Sequence, residues 1–383
     1  MNTSDRNKVV TGEIEDLLVG RPNIGNLDMF YKKTHQILTS RWLSNNGVVV
    51  QELEKKLCDY LGVRHCIPVC NATVGLQICV HALGLTGEVI TTPYTFIATA
   101  HALQWEGIRP VFADIELSTH NLDPKAVEAA ITSQTKAILG VHVWGRPCEP
   151  DALQEIADHH GIPLMFDAAH AFGCSHKGRM IGNFGSCEVF SFHATKFFNT
   201  FEGGAIATND DELAAKIRLM KNFGFSGMDN VVHLGTNAKM SEIHAAMGIA
   251  CFDVLDNILL ANKSHYEHYR ERLSDIPSLH FCSYDDVEQS NYQYIVIEID
   301  NEICPVDRDS LMMHLHADGI MARRYFHPGC HNMEPYASLY SDVQQKVPIA
   351  DKLTSRTLIL PTGTALTSDD VDRVCDSIEA AIS

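Results

Sequence analysis

Lys196 lies in a stretch whose residue types could do chemistry, SFHATKFFNTFEGG, residues 191–204. Four phenylalanines and a closing pair of glycines surround the lysine in sequence: Phe192, Phe197, Phe198, Phe201, Gly203 and Gly204. A lysine in apolar surroundings loses its charge more readily, and a neutral amine can form a Schiff base with an aldehyde. Taken alone, a lysine is more often a surface residue whose stem covers apolar neighbours.

Other candidate residues follow short apolar runs that are typical of strands. Asp167 ends LMFD, and Ser191 ends EVFS. The segment 71–73, Asn-Ala-Thr, lies between a predicted strand and a predicted helix, where free backbone N–H groups can hold a phosphate. Each residue also has a structural interpretation: Asp167 as a helix N-cap, Thr73 and Ser191 as structural hydroxyls, and the glycine pair as a turn.

These residues together suit one cofactor. Pyridoxal 5′-phosphate carries a phosphate, an aldehyde and a basic ring nitrogen, which correspond to the strand–helix turn, Lys196 and Asp167. A carboxylate beside the pyridine nitrogen keeps it protonated, so that the ring withdraws electrons. The sequence contains no G-x-G-x-x-G and no G-x-x-x-x-G-K-[ST], so the usual dinucleotide and P-loop motifs are missing. By themselves, spacing and composition indicate only an α/β protein with a candidate phosphate-ligand site.

The elements that would position these residues alternate along the chain. Short apolar runs such as EVITTP, PVFADI and PLMFDAAH are separated by helical patterns such as EPDALQEIADHHG. This alternation predicts a large domain, residues 1–254, with an N-terminal arm and a mostly parallel, seven-stranded type of sheet flanked by helices. Residues 255–383 are predicted to form a smaller α+β domain. Just before this region MSEIHAAMGIACFDVL, residues 240–255, is predicted to begin a long helix. Within it NYQYIVIEID alternates like a half-exposed strand.

Composition excludes several classes of protein. The formal charge of −18 argues against nucleic-acid binding, which needs clustered Lys and Arg. No apolar run approaches the length of a membrane span, and the first 18 residues show no secretory signal. We therefore expect a cytoplasmic protein whose 12 scattered cysteines are free thiols. No metal site is predicted.

Four blocks of sequence, in order and spanning nearly the whole chain, resemble the DegT/DnrJ/EryC1/StrS sugar aminotransferases. They are VCNATVGLQ; EVITTPYTFIATAHAL with PVFADI; FDAAHAFG with SFHATKFFNTFEGGAIAT; and NFGFSG with GTNAKMSEIHAAMG. The family consists of pyridoxal-phosphate enzymes of fold type I, the fold of aspartate aminotransferase. The resemblance therefore implies this fold, this cofactor and a homodimer with shared active sites.

The resemblance also implies roles for individual residues. Lys196 matches the lysine that forms the Schiff base, and Asp167 matches the carboxylate that pairs with the ring nitrogen. Thr73, the Ala72 backbone and Ser191 match the phosphate-binding groups.

Of four further positions, two match the family, one departs from it and one matches more weakly. Phe96 matches the aromatic residue that stacks on the cofactor ring, and Asn237 matches an asparagine that reaches the phosphate of the partner subunit. His170 stands where most members have glutamine, and an imidazole there would face the cofactor's 3′-oxygen. Arg324 lies where members often approach the nucleotide-sugar substrate.

The implied activity is transfer of an amino group from an amino acid, L-glutamate above all, to a nucleotide-linked 4-keto-6-deoxy sugar, with C4 favoured over C3. Alternatives on the same scaffold are a C3 or cyclitol-ketone aminotransferase, or a sugar dehydratase, the last disfavoured by Lys196. A different class, a non-catalytic regulator that binds the cofactor, is disfavoured by the intact set of site residues. The nucleotide, the stereochemistry of the sugar and the pathway are not predicted.

Overall fold

A computed structural model describes residues 16–340 and 346–383. Most of the N-terminal stretch predicted to lack a secretory signal, residues 1–15, lies outside the described residues, as do residues 341–345.

Strands occur in both halves of the described chain. In chain order they are β1 (Leu17–Leu18), β2 (His65–Val69), β3 (Glu88–Thr91), β4 (Arg109–Phe112), β5 (Thr135–Val141), β6 (Leu164–Asp167), β7 (Ser175–His176), β8 (Arg179–Met180), β9 (Cys187–Ser191), β10 (Gly204–Thr208), β11 (Leu279–Phe281), β12 (Ile295–Ile299), β13 (Ile320–Met321) and β14 (Thr357–Leu360).

Helices separate most of these strands. In chain order they are α1 (Leu27–Ser40), α2 (Val48–Leu61), α3 (Ala72–Ala82), α4 (Ala98–Trp105), α5 (Pro124–Ala130), α6 (Pro150–His160), α7 (Asp211–Met220), α8 (Glu242–Phe252), α9 (Leu255–Leu273), α10 (Arg308–Ala317), α11 (Tyr336–Leu339), α12 (Pro348–Arg356) and α13 (Ser368–Ile382). Their ends follow capping rules. For example, the Asp210 side chain caps α7, and Thr367 forms a capping box with Asp370 on α13.

The central sheet has seven strands in the order β2-β10-β9-β6-β5-β3-β4. Strand β10 runs antiparallel to both of its neighbours, and the other pairs are parallel. This confirms the predicted α/β architecture with a mostly parallel sheet.

Helices cover both faces of the central sheet. Phe166 and Phe190 belong to the apolar core on one face, whereas their neighbours in sequence, Met165 and Val189, belong to the core on the other face. Side chains alternate between the faces of a strand, so a strand with two buried faces has a nearly continuous apolar sequence. This explains why LMFD is apolar up to Asp167, its last residue. Strand β9 departs from the pattern, because the charged residue Glu188 is buried within it before Ser191.

The C-terminal region has its own three-stranded antiparallel sheet in the order β11-β12-β14. Its core also includes Leu17 of β1, which pairs with β13 in parallel. The N-terminal arm therefore contacts the C-terminal core. The predicted division at residues 254 and 255 stays a prediction, although α9 begins at Leu255.

Two predictions of secondary structure were wrong in detail. The long helix expected from MSEIHAAMG onward is two helices, α8 and α9, bent by 63° at residues 253–254. Strand β12 is not half-exposed, because Ile295 and Ile297 pack into one core and Val296 into another. A strand in the middle of a covered sheet buries both faces, which its alternating sequence does not reveal.

Two predictions concerned cysteines and membrane spans. All 12 cysteines are free thiols, as predicted. Among the described residues no single helix has the length and apolar character to cross a membrane. The bent pair α8–α9 has the necessary length and apolar composition only when the two helices are taken together.

Candidate active site

A cavity of about 450 Å³ lies at the carboxyl ends of the parallel strands. Asp167 and Ser191 are the last residues of β6 and β9, and Lys196 lies in the loop after β9. Ala72 and Thr73 open α3, which follows β2. Ligands of open α/β sheets bind at this edge because the loops there diverge around the strand ends.

The amine of Lys196 lies inside this cavity, where its Nζ donates a hydrogen bond to the Tyr294 hydroxyl at 3.0 Å. Burial lowers the pKa of Lys196 to about 8, although the negative charge of Asp167 acts in the opposite direction. A substantial fraction of the amine is therefore neutral in mildly alkaline solution. A neutral amine is the form that attacks a carbonyl carbon.

The phenylalanines around Lys196 in sequence support its loop and do not enclose the amine. Phe192, Phe197 and Phe198 are buried in the same apolar core as Phe166 and Phe190, whereas Phe201 is 40% exposed. The lysine stem is thus anchored by packing on both sides of residue 196. The cavity walls, rather than these rings, shield the amine from water.

Asp167 is a buried carboxylate held by two neutral donors. The Thr99 hydroxyl donates to its Oδ2 at 2.7 Å, and the Ala169 main-chain N–H donates to its Oδ1 at 3.0 Å. Burial raises the pKa of Asp167, while these two donors and Lys196 act in the opposite direction. A cation placed against this carboxylate would stabilise its ionised form.

The first turn of α3 lines the cavity with Ala72 and Thr73. Asn71 caps the helix by accepting from the Val74 N–H at 2.9 Å, which leaves the first-turn N–H groups of Ala72 and Thr73 without partners inside the helix. Gly204 lets β10 approach this turn, because a Cβ there would lie 2.8 Å from the Ala72 nitrogen and 2.7 Å from the Phe190 oxygen. Ser191 adds a hydroxyl to the same cavity.

Two ring side chains complete the walls of the cavity. His170 is buried against Tyr294, with ring centroids 4.6 Å apart. Burial, reinforced by Lys196, lowers the pKa of His170 well below its usual value, so the imidazole is neutral. Phe96 lies at the mouth, 60% exposed, where its ring face is available to a ligand.

Two predicted site residues do not line this cavity. Asn237 is exposed, and its Oδ1 accepts from the Lys239 amine at 2.6 Å. Arg324 forms an ion pair with Asp309 at 2.9 Å and lines an adjacent cavity.

Two residues of the cavity, Tyr294 and Arg323, were not predicted from sequence, nor was Thr99, which is buried behind Asp167. Thr99 lies in the first turn of α4, and its contact with Asp167 connects residues far apart in sequence. Tyr294 comes from the C-terminal region, where no local pattern indicates a contact with Lys196. Arg323 lines both cavities, and no carboxylate partner of its guanidinium occurs among the described residues. The sequence had indicated the next residue, Arg324, as a substrate contact, so the prediction was off by one position for this cavity.

The donor set fits pyridoxal phosphate. First-turn N–H groups and hydroxyls suit a phosphate, the buried carboxylate suits a protonated ring nitrogen, and the amine of lowered pKa suits an aldehyde. All three face one cavity of about 450 Å³. Within the described part of the chain no group of three or more His, Cys, Asp or Glu residues has the arrangement of a metal site.

Comparison with known proteins gives consistent results. The model of the DegT/DnrJ/EryC1/StrS aminotransferase family matches residues 28–379. The chain is 39% identical to the dTDP-4-amino-4,6-dideoxy-D-glucose transaminase of Shigella dysenteriae over 364 residues, covering 94% of this chain and 98% of that protein. It is 34% identical to the GDP-perosamine synthase of Caulobacter vibrioides, covering 91% and 94% of the two chains.

Solved structures agree with these relatives. The structure of DesI with its TDP-sugar product superposes with a TM-score of 0.92 at 47% identity, covering 97% of this chain and 94% of that one. PseC of Helicobacter pylori, an aminotransferase of pseudoaminic acid biosynthesis, has a TM-score of 0.89 at 26% identity and covers 96% and 99%.

Proposed function

The chain belongs to the DegT/DnrJ/EryC1/StrS aminotransferase family and is a nucleotide-sugar aminotransferase, and we propose that its acceptor is a nucleotide-linked 4-keto-6-deoxy sugar, aminated at C4 with L-glutamate as the donor. The cofactor in this proposal is pyridoxal 5′-phosphate. The observation that carries the proposal is the convergence of Lys196, Asp167 and the first turn of α3 on one cavity.

Bound pyridoxal phosphate would supply an aldehyde that takes up the amino nitrogen and a ring that stabilises negative charge on the carbon losing its proton. Asp167 would hold the proton on the ring nitrogen, and its buried position would strengthen that interaction. The Ala72 and Thr73 N–H groups and the Ser191 hydroxyl would hold the phosphate, at the positive end of the α3 dipole.

Lys196 has two tasks in this proposal. Its neutral amine would hold the cofactor through the aldehyde, and as a free amine it would carry a proton to and from the reacting carbon. The lowered pKa of about 8 suits both tasks, because the amine can accept and return a proton near neutral pH. Tyr294, which accepts from Lys196 at 3.0 Å, would orient the amine between these steps.

The walls of the cavity would fix the cofactor plane. Phe96 would cover one face of the ring, and the His170 imidazole would face the ring's 3′-oxygen. Both side chains line the cavity beside Lys196 and Asp167.

The acceptor sugar would enter past Arg323 at the rim. Its guanidinium lies over the Tyr325 ring, with Cζ 5.5 Å from the ring centroid, and Arg323 lines both cavities. An arginine beside an aromatic ring suits a diphosphate joined to a planar base. Arg324 in the adjacent cavity would add a second positive charge if its guanidinium left Asp309 and bound the diphosphate instead.

The relatives support the position of amination and a first choice of nucleotide. The proteins of Shigella dysenteriae and Escherichia coli, 39% and 38% identical, are named for a dTDP-4-amino sugar, and DesI for a TDP-sugar product. We therefore place dTDP first, although a relative of 34% identity is named for GDP-perosamine.

A homodimer with shared sites is part of the proposal. The loop that carries Asn237 exposes apolar side chains that would be covered in a dimer: Phe223, Phe225, Met228, Val231, Val232 and Leu234. Since Asn237 does not line the cavity of its own chain, it is available to the phosphate in a partner subunit. A two-fold interface would give each site the same contribution.

The test is an acceptor panel. Purified protein with pyridoxal phosphate and glutamate is incubated with dTDP-, UDP- and GDP-linked 4-keto and 3-keto 6-deoxy sugars and with a cyclitol ketone, and products are followed by mass. We expect amino-sugar formation with a 4-keto substrate, dTDP-linked first. Amination of the 3-keto sugar or the cyclitol alone would establish the corresponding alternative. Loss of the sugar's 3-hydroxyl without nitrogen gain would establish a dehydratase, and cofactor binding without turnover of any acceptor would favour the regulator.

A further inference from the structure

Trp144 has an unusual main-chain conformation beside the active site. It lies in the short 3-10 segment Val143–Gly145 after β5, with φ at 61° and a fully buried side chain. A residue with a bulky side chain is rare in the left-handed region, so surrounding contacts must hold it there.

In this conformation the Trp144 main chain contacts His170. The Trp144 main-chain N–H donates to His170 Nδ1 at 3.3 Å, so Nδ1 has no proton. A neutral imidazole with an accepting Nδ1 carries its proton on Nε2. His170 lines the cavity, and no described residue is hydrogen-bonded to its Nε2. The Nε2–H group is therefore left for a ligand in the cavity.

Two consecutive hydrogen bonds hold the side chain of Trp144 in place. Its indole Nε1–H donates to His120 Nδ1 at 3.1 Å, and His120 Nε2 in turn contacts Glu298 Oε1 at 2.9 Å. Because His120 Nδ1 accepts from the indole, its Nε2 carries the proton and donates to the carboxylate. His120 is 1% exposed, so solvent does not compete with these bonds.

Aromatic packing fixes the plane of the indole. The Phe326 ring stacks on it at 5.0 Å with an interplanar angle of 11°, and the Tyr94 ring meets it edge-on at 6.0 Å. The His170 ring is nearly parallel to the indole, at 14°. Hydrogen bonds and stacking thus restrict both the side chain and the main chain of residue 144.

We propose that Trp144 is a positioning residue that, anchored through His120 to Glu298, fixes His170 as an Nε2–H donor toward the ring 3′-oxygen of the cofactor. The imidazole then offers the same neutral N–H donor that a glutamine amide would offer. This inference rests on the proposed binding of pyridoxal phosphate. It adds the three residues that determine which nitrogen of His170 carries the proton.

Neutron diffraction from deuterated holoenzyme tests the tautomer directly, without any substitution. We expect nuclear density for deuterium on His170 Nε2 and on His120 Nε2, and none on either Nδ1. Deuterium on His170 Nδ1, alone or together with Nε2, would overturn the proposal.

A double-mutant cycle tests the positioning role through the dissociation constant of pyridoxal phosphate, measured by equilibrium dialysis. Trp144→Phe keeps an aromatic ring but removes the indole N–H, and it should raise that constant about tenfold, the equivalent of one hydrogen bond. His170→Gln should leave the constant within about threefold, and adding Trp144→Phe to it should change the constant by less than about twofold. Equal effects of Trp144→Phe in both backgrounds would show a merely structural role.

Trp105→Phe is the matched control, because Trp105 is 80% exposed and does not line the cavity, and it should leave the constant unchanged. If Trp144→Phe does not fold, the neutron result on the unaltered chain still tests which nitrogen of His170 carries the proton. Failure of the unaltered protein to bind pyridoxal phosphate would contradict the proposed function. A holoenzyme that transfers nitrogen but carries deuterium on His170 Nδ1 would contradict this inference alone.

Discussion

At the scale of single residues, the chemistry depends on two charges that the protein brings into one cavity. Lys196 has a pKa lowered to about 8 and Asp167 a raised pKa, and burial is the main cause of both shifts. Asp167 would regain its charge beside a protonated ring nitrogen, whereas the neutral amine that burial favours at Lys196 is the form that reacts with an aldehyde. A cofactor with a basic ring nitrogen and an aldehyde therefore suits both groups.

Lys196→Ala should fold and bind the phosphate but lose transamination by at least about 10³-fold, since it removes the anchoring amine and the proton carrier together. Borohydride treatment of the unaltered holoenzyme should leave a stable cofactor adduct on the peptide containing Lys196. Peptide mapping by mass spectrometry checks this. An adduct on Lys221, a buried lysine whose pKa is also lowered to about 8, would contradict the assignment.

Asp167→Asn should retain part of the cofactor affinity and slow turnover by about 10²- to 10³-fold, because an amide cannot balance a protonated ring nitrogen. Single-turnover absorbance measurements with glutamate would locate the loss in the proton-transfer step. Thr99→Val, which removes one donor to Asp167 but keeps its charge, is the milder control. Unchanged turnover in Asp167→Asn would show that Asp167 has only a structural role at the end of β6.

The lowered pKa of Lys196 also predicts a pH dependence of stability in the cofactor-free protein. Between pH 8 and the ordinary lysine pKa of about 10.5 the unfolded chain binds more protons than the folded chain, so the contribution of Lys196 to the free energy of unfolding rises with pH. Lys196→Met should remove the contribution of Lys196 and leave that of Lys221, so its stability should rise less steeply with pH in urea titrations across that range. Identical pH profiles for the two proteins would show that the amine is not desolvated.

At the scale of elements, the close approach of β10 to the first turn of α3 shapes the phosphate position. Gly204→Ala places a Cβ within 2.8 Å of main-chain atoms on both sides, and it should lower the free energy of unfolding by about 1–3 kcal/mol and weaken cofactor binding. Gly84→Ala is the control, because its Cβ meets nothing within 4 Å and only the left-handed φ of 66° is strained. It should leave cofactor affinity unaltered. Chemical denaturation and dialysis measure both effects, and equal cofactor affinities in the two variants would refute this packing argument.

The sequence predicted some features of the elements and not others. The position of Asp167 at a strand end followed from an apolar run that ends in a polar residue, because both faces of that strand are buried. Ser191 ends a similar run, in which only Val189 and Phe190 are apolar, since Glu188 is also buried in β9. The bend between α8 and α9 did not follow, since both helices have continuous helical sequence and their packing sets the angle. The contact of Trp144 with His170 depends on a left-handed residue and on distant partners, which no local pattern indicates.

At the scale of the whole molecule, the proposal requires two chains for two complete sites. Mixing Lys196→Ala subunits with Asn237→Ala subunits should restore activity under conditions of subunit exchange, because one site of each mixed dimer carries neither defect. The observable is turnover above the sum of the separate variants. Sedimentation showing a monomer, or no recovery after proven exchange, would exclude a shared site.

The most direct test of the central claim is transfer of ¹⁵N from labelled L-glutamate to dTDP-linked 4-keto-6-deoxyglucose labelled with ¹³C in the hexose. The account predicts a ¹⁵N–¹³C coupling at C4 in the product of the unaltered protein with pyridoxal phosphate, and none with Lys196→Ala. Nitrogen at C3, no nitrogen transfer to any 4-keto nucleotide sugar, or equal transfer by Lys196→Ala would contradict it.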